Sequence, residues 1–454
     1  MFFLIIISQI LILIIARIAR INVLIRRVLL IFNAWWGILL VYSHISPYGG
    51  YKISFDTYIL IWIFIFVFNI VFAFAKSAKK YGSQFTKEGF STQYSESRIS
   101  KQYDQLILEN KYLNIAIYAV SLILIYYAVR FSTVMTASSF LAARNERFYV
   151  GELFGTTIEL LLYNYFVSAF RYLFSFIISF SLLYDRTKTK QFWICVIDLA
   201  LYSYIGASRF PVVLLLVNIL YLWIIRSYYN RRTINGKSAF RFIRIALIFS
   251  AGIFGMSYLT AFRRGALGFN VNAVLGNFDI LYDQILGYST GPLSGLSYLL
   301  DTGTMENHWF VGRAVLLNGF EEVFTYLLSF VGIHISCAKN VLGAIANIQY
   351  GIGNRSMNAL FTCIYWFYSD FGYLGVVLFT GVFAWTGKKV VSRFVSKPNI
   401  FTLMLAIHFS YFMFMSNMIW QINNVDSLVY MLIIYILHKK ISQVGYAERD
   451  RFYC

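Results

Sequence analysis

The chain has 454 residues, of which 59% are hydrophobic, 19% aromatic and only 13% charged, and its mean hydropathy is +0.65. This composition excludes a water-soluble globular domain and predicts a polytopic membrane protein. The formal net charge is +19. The basic clusters lie beside apolar segments, which is typical of membrane topology signals and argues against nucleic-acid binding.

About eleven segments are long and apolar enough to cross a hydrocarbon core of about 30 Å. The sequence therefore predicts an all-α polytopic integral membrane protein. The predicted spans are 2–16, 28–46, 57–75, 112–129, 157–183, 191–208, 210–225, 245–261, 372–387, 400–418 and 425–437. The first segment lacks a basic leader region and a small-residue cleavage site, so we expect a retained anchor.

In membrane proteins, lysine and arginine concentrate in short cytoplasmic loops, and this general rule predicts the orientation of the chain in the membrane. If the chain starts outside, the cytoplasmic loops are 17–27, 76–111, 184–190, 226–244, 388–399 and 438–454, and they hold most of the 39 basic residues. We therefore expect the N-terminus outside, the C-terminus inside and one large outer loop.

Three regions follow from this topology. A bundle of about eight spans covers 1–261, and a bundle of about three spans with a cytoplasmic tail covers 372–454. Between them, 262–371 forms the large outer loop, with room for interfacial or re-entrant helices. The stretch from Glu321 to Ile335 is amphipathic and is the candidate for such a helix.

No cofactor or metal motif is present. The four cysteines show no CxxC spacing, and the chain lacks a P-loop, a GxGxxG after a strand and an HExxH pair. The outer loops contain no DxD-like pair. The sequence predicts chemistry without a metal or a bound cofactor.

A short outer hairpin joins two predicted spans at Arg209. Pro211 suits the first turn of the helix that follows, and the positive end of a helix dipole favours an anion there. Arg209 lies beside this terminus. It is a candidate phosphate ligand, and the alternative is an anchor for lipid headgroups.

Arg171 lies inside an apolar run, where a charge costs at least a few kcal/mol and usually faces a partner or a wet cavity. Asp198, in the next predicted span, is its candidate partner. A structural ion pair and a substrate contact both remain open for Arg171.

The segment from Arg263 to Arg355 is a long polar and aromatic interlude between spans. The planar guanidinium group of arginine can bind phosphate oxygens through two N–H groups. Aromatic rings beside polar groups can bind sugars, because the ring packs on the C–H face of the sugar while the polar groups bind its hydroxyls. An interfacial aromatic belt is the alternative for any single ring. The candidate ligands here are Arg263, Arg264, Arg313, Arg355, Tyr282, Tyr288 and Trp309, and the candidate bases are Asp283, Glu306 and His308. The stretch 287–292 is rich in turn-forming residues, and we expect a turn there.

Asn358 and Asp370 lie before the ninth predicted span. Each can bind sugar hydroxyls or cap a helix start. Asn358 opens the run Asn-Ala-Leu-Phe-Thr, and Asp370 is followed by Phe371 and Gly372.

These features together resemble O-antigen polymerases, the Wzy-type oligosaccharide repeat-unit polymerases. The resemblance rests on the hairpin with Ser208 and Arg209, the outer loop through Arg264 and Pro292, and the stretch from Asn358 to Gly375. It implies a GT-C-like glycosyltransferase in the bacterial inner membrane, so that the outer side is the periplasm. The implied substrate is an oligosaccharide on undecaprenyl pyrophosphate, and a chain-length regulator in the same membrane is a candidate partner.

The implied reaction needs no ATP because the donor carries its own activated bond. Arg209 and Arg264, then Arg263 and Arg313, would stabilise charge on the leaving pyrophosphate. An O-antigen ligase, which transfers glycan to lipid A-core, is one alternative. A lipid-linked oligosaccharide flippase is the nonenzymatic one.

Overall fold

A computed structural model of the chain is predominantly helical. It describes residues 1–45, 51–75, 92–137, 143, 145–146, 150–206, 208–229, 252, 255, 278–304, 309–346, 350–352, 355–357, 361–422 and 424–451.

Fourteen helices and one hairpin of strands are used below. The helices are α1 (Phe2–Ile18), α2 (Val23–Ile45), α3 (Phe55–Phe74), α4 (Thr92–Tyr103), α5 (Lys111–Ala137), α6 (Thr157–Leu183), α7 (Lys190–Gly206), α8 (Phe210–Tyr229), α9 (Phe278–Asp301), α10 (Asn318–Ser329), α11 (Ala338–Ala346), α12 (Cys363–Ser396), α13 (Ile400–Met415) and α14 (Val425–Arg451). The strands β1 (Tyr350–Ile352) and β2 (Arg355–Met357) pair antiparallel. Short π-helical segments precede α5 (Asp104–Leu108) and α10 (Arg313–Leu317), and a third lies within α6 (Leu162–Val167).

Helices coincide with the predicted spans, except at 245–261, of which only residues 252 and 255 are described. Among the described residues, six helices are long and apolar enough to cross a membrane: α2, α3, α5, α6, α8 and α12. The apolar helices α1 and α13 are shorter. The protein is therefore a helical membrane protein with several spans. The total of eleven and the sidedness stay predictions.

The chain divides into two compact units. The first comprises Met1–Lys87, Tyr282–Ser396 and Phe409–Leu428, and the second comprises Glu88–Leu281, Lys397–His408 and Val429–Cys454. Each unit is described by itself.

In the first unit, α2 and α3 form an antiparallel pair. The side-chain amides of Asn33 and Asn69 exchange two hydrogen bonds of 2.8 and 2.7 Å, and both residues are buried. At one end of the pair, His44 Nδ1 lies 2.9 Å from the hydroxyl of Tyr58. Paired amides satisfy each other where no water is present, so they join the two apolar helices.

The helix α12 contains a sharp bend. Phe371 and Gly372 have non-helical dihedral angles, with φ of 58° at Gly372, a value that glycine adopts without strain. The carbonyl oxygen of Phe367 lies so close to Gly375 that a Cβ there would overlap it. Residues eight apart in a straight helix are separated by about 12 Å. The chain therefore folds back at the bend.

The long arm of α12, residues 373–396, packs along α3. The rings of Phe383 and Phe68 have centroids 5.4 Å apart, and Nζ of Lys388 donates a 2.6 Å hydrogen bond to the carbonyl of Ala73. Both pairs are offset by 315 positions, so the two helices run parallel. At about 1.5 Å per residue, the bend lies level with the first turn of α3. We call this the Phe55 end of the first unit.

The predicted large loop contains the long helix α9. It runs for 24 residues, or about 36 Å, and includes Pro292. The expectation of a turn at 287–292 is wrong, because this stretch is helical and Ser289, Leu293 and Ser297 are buried on the helix. Packing overrides the turn preference of these residues. The hydroxyl of Ser297 accepts a 2.6 Å hydrogen bond from the amide of Ser54, which ties α9 to the start of α3.

In the second unit, α6 packs against α7 and α8. The amide of Asn218 donates a 2.9 Å hydrogen bond to the hydroxyl of Ser175, and the guanidinium of Arg226 lies 4.6 Å from the ring centroid of Tyr184. These pairs are offset by 43 and 42 positions, so α6 and α8 run parallel. The beginnings of α6 and α8 therefore lie at the same end of this unit, which we call the Arg209 end.

Candidate functional site

The predicted hairpin at Arg209 is present in the second unit. The carbonyl oxygen of Arg209 accepts hydrogen bonds from the amides of Val212 and Val213, at 3.1 and 3.2 Å, and so begins α8. Pro211 lies in the first turn, where its missing N–H costs nothing. Arg209 itself is half-buried. Its backbone thus occupies the helix-start position that favours a bound anion.

Arg171 is held by tyrosine side chains of the same unit. Its Nη1 donates a 3.0 Å hydrogen bond to the hydroxyl of Tyr202, and its Nη2 donates a 2.9 Å bond to that of Tyr172. The guanidinium also lies 4.8 Å from the ring centroid of Tyr172. Ser168 shares a 2.6 Å hydrogen bond with the Tyr202 hydroxyl. These hydroxyls are neutral, so they position the guanidinium without neutralising its positive charge.

Arg171 and Asp198, which are candidate partners from the sequence, do not form an ion pair. Asp198 accepts a 2.7 Å hydrogen bond from the hydroxyl of Ser121, on α5, and it is buried. The sequence placed both charges at membrane depth but could not show which helix faces each of them. Asp198 instead joins α7 to α5.

The parallel packing of α6 and α8 brings Arg171 and Arg209 to the same end of the second unit. With the offset of 42 to 43 positions, Arg209 lies level with the π-helical part of α6. Arg171 is then about one turn deeper, roughly 6 Å along the helix axis. Two arginines that are 38 positions apart in sequence thus lie at nearby levels of the same end of this unit.

His408 is a residue that the sequence analysis missed. Its ring lies edge-on to Tyr172 and Tyr430, with centroid distances of 4.7 Å to each, and it is buried. The tyrosine that binds Arg171 therefore also contacts a histidine. A lone histidine in an apolar helix was the only available signal, and such a signal is more often a packed core residue than a ligand.

In the first unit, Trp309 and Arg313 lie on one turn at the Phe55 end. The amide of Phe310 donates a 3.1 Å hydrogen bond to the carbonyl of Ser369, next to the bend of α12. Trp309 is 61% exposed, and its ring lies beside Gly372. A large aromatic ring is thus presented outward from a fixed turn.

Asp370 holds this turn in place. It is fully buried, and its two carboxylate oxygens accept hydrogen bonds of 3.0 and 2.9 Å from the amides of Ala314 and Val315. These amides belong to the first turn of the helix leading into α10, where no intrahelical acceptor exists. Of the two roles that the sequence left open for Asp370, the contacts show capping, and the helix that it caps is the one leading into α10 and not α12.

The side chain of Arg313 forms hydrogen bonds within the protein. Its Nε donates a 2.8 Å hydrogen bond to Glu321, and its Nη2 also contacts the carbonyl of Ser336 at 3.2 Å. The side chain is 44% exposed. Glu321 offsets part of the positive charge, which weakens the predicted role of Arg313 as a phosphate ligand.

Tyr282 and Tyr288 lie on α9, the first 55% exposed and the second half-buried. Asp283 lies on α9, and Arg355 lies on β2. The candidates Arg263, Arg264, Glu306, His308 and Asn358 lie outside the described residues.

Within the described part of the chain, no group of three or more histidine, cysteine, aspartate or glutamate side chains is arranged to hold a metal ion. Comparison with protein-family models, with curated proteins and with solved structures gives no match.

Proposed function

We propose that the protein polymerises oligosaccharide repeat units carried on undecaprenyl pyrophosphate, at the periplasmic face of the bacterial inner membrane. The product is an O-antigen or a capsule-like polysaccharide. The observation that carries the proposal is the placement of Arg171 and Arg209 at one end of the second unit. The sequence resemblance to O-antigen polymerases supports the same reaction.

A pair of arginines near a membrane surface suits a pyrophosphate on a lipid. The guanidinium stays charged at all physiological pH values and binds phosphate oxygens through two parallel N–H groups. The start of α8 adds a partial positive charge beside Arg209. An Arg171 placed about one turn deeper would reach the phosphate nearer the lipid chain.

The proposed transfer breaks the bond between the anomeric carbon of the donor glycan and the pyrophosphate oxygen. A hydroxyl of the acceptor glycan forms the new glycosidic bond and gives its proton to a base, for which Asp283, Glu306 and His308 are the candidates. The electron pair of the broken bond stays on undecaprenyl pyrophosphate. Fixed arginines stabilise this growing charge more in the transition state than in the ground state.

The exposed ring of Trp309 is the proposed contact for a sugar. The C–H face of a pyranose packs on an aromatic ring, while nearby polar groups bind its hydroxyls. Tyr282 offers a second exposed ring on α9. Arg263 and Arg264 stay candidate ligands for the pyrophosphate.

Deletion of the gene, followed by gel analysis of surface lipopolysaccharide, tests the function. We expect the ladder to collapse to core plus a single repeat unit, because export and ligation continue without polymerisation. Loss of the single-unit band as well would contradict the proposal and would indicate a ligase or a flippase.

Point variants in the deletion strain test the arginines. We expect Arg209→Ala and Arg264→Ala to abolish chain growth while the protein remains in the membrane. Arg226→Ala is the matched control, since Arg226 lies at the opposite end of α8 against Tyr184. Normal ladders from the first two variants at equal protein levels would overturn the pyrophosphate assignment.

A further inference from the structure

The helix α10 turns its acidic side chains toward the protein. Glu321 accepts hydrogen bonds from Arg313 and, at 3.1 Å, from the amide of Ala338. Glu322 accepts a 2.6 Å hydrogen bond from Nζ of Lys339. The two glutamate side chains are only 14% and 12% exposed. The polar face of this helix is therefore the inner face.

The opposite face of α10 carries large apolar side chains outward. We call the following residues the apolar stripe: Phe320, Phe324 and Leu327 on α10, and Phe330 and Val331 in the turn that follows, which are 63%, 59%, 59%, 61% and 70% exposed. The spacing of four and three positions places the first three along one side of the helix. A helix in water would show the reverse arrangement, with its glutamates outside and its phenylalanines inside.

The position of α10 relative to the spans of the first unit fixes its depth. Asp370, at the bend of α12, binds the amides of Ala314 and Val315, which immediately precede α10. The bend lies level with the first turn of α3, a helix of 20 residues. Such a helix is about 30 Å long and matches the hydrocarbon core of a bilayer. The helix α10 therefore begins at the level where the hydrocarbon core ends.

We propose that α10 lies in the membrane interface, with the apolar stripe embedded among the acyl chains of bilayer lipids. Contiguous apolar patches of more than a few hundred Å² are rare on surfaces that face water. Residues 323–331 contain no charged side chain, so this surface has no group with which to select a charged partner. Acyl chains require only an apolar surface at this depth.

This placement has a consequence for the turn that precedes α10. Trp309 and the partly exposed Arg313 lie at the level of the lipid headgroups, where tryptophan and arginine are both favoured. A lipid-borne anionic group would meet this turn by moving sideways within the leaflet. The inference depends on the exposure of the stripe and on its depth, and it holds whether or not the protein is a polymerase.

Spin labels on cysteines at positions 320, 324 and 327 test the proposal in the full-length protein. The protein is reconstituted in vesicles of phosphatidylethanolamine and phosphatidylglycerol, with Cys454 replaced by serine. The native Cys195, Cys337 and Cys363 are buried and react poorly with a bulky reagent. Leu122→Cys, in the middle of α5 and 68% exposed, is the lipid reference, and Lys101→Cys on α4 is the water reference.

We expect the three labels to be accessible to dissolved oxygen and shielded from a water-soluble nickel complex, as at position 122. Accessibility to nickel equal to that at position 101 would overturn the proposal, because the stripe would then face water. Shielding from both reagents would also overturn it, because the stripe would then be covered by protein. Elution of each variant as a single species on size-exclusion chromatography shows that it is folded.

Discussion

The carboxylate of Asp370 accepts a 2.9 Å hydrogen bond from the amide of Val315, which lies 55 positions earlier in the chain. A second bond, from the amide of Ala314, uses the other carboxylate oxygen. One buried side chain thus fixes the turn that carries Trp309 and Arg313 to the bend of α12. The position of the candidate sugar contact depends on this connection.

Replacement of Asp370 by alanine should destabilise the first unit. Two buried amides would lose their acceptor, at a cost of about 2–6 kcal/mol, since each unsatisfied group costs about 1–3 kcal/mol. The thermal unfolding midpoint of the purified protein in detergent measures this effect. Asp301→Asn is the matched control, because Asp301 is exposed and accepts one hydrogen bond from Tyr51. Equal midpoints for the two variants would show that Asp370 does not hold the turn.

Replacement of Gly375 by alanine should destabilise the protein, because the chain folds back at the bend of α12. A Cβ at this position overlaps the carbonyl oxygen of Phe367, and backbone cannot move away as a side chain can. We expect a loss of about 1–3 kcal/mol in stability. The control is Gly381→Ala on the same helix, where nothing lies within 4 Å of the new Cβ and alanine should be neutral or stabilising. A normal unfolding midpoint for Gly375→Ala would contradict the bend.

Replacement of Tyr202 by phenylalanine should impair the proposed transfer without removing a charge. The variant loses the hydrogen bond that orients Arg171, and bonds to charged groups contribute about 1.5–3 kcal/mol. We expect at least a tenfold slower chain growth, seen as a shortened ladder at equal protein levels. Tyr204→Phe, on the same helix, removes instead a hydrogen bond to Ser132 and should leave the ladder unchanged. Equal ladders from both variants would argue against a positioning role for Tyr202.

Cys337 should react slowly with alkylating reagents in the folded protein. Burial raises the pKa of its thiol above the usual value, so less thiolate is present near neutral pH. The raised pKa stabilises the folded state fully at pH values below the ordinary thiol pKa, and this contribution is lost as the pH rises through the raised pKa of the folded state. Iodoacetamide labelling in a variant that retains only Cys337, followed by mass spectrometry, measures the rate. Labelling as fast as in the denatured protein would mean that this thiol is exposed.

The sequence predicted the helices well because apolar length is a local property. The start of α8 at Arg209 could also be predicted from the sequence, because Pro211 directly follows the short hairpin between two apolar segments. The partners of Arg171, Asp198 and Asp370 could not be predicted from the sequence. Each partner depends on how a helix is rotated about its axis and on which element packs against it. The helical state of 287–292 was missed for the same reason.

The bond between Lys388 and the carbonyl of Ala73 lies at the far end of the contact between α12 and α3, whereas the bend of α12 lies at the Phe55 end. Sliding of α12 past α3 by one turn would break the lysine contact and would separate Phe383 from Phe68. The pair therefore resists a ratchet motion of the kind that many transporters and switches use. If the protein acts as proposed, an opening that admits a lipid-linked glycan has to come from elements other than this pair, which would stay in place.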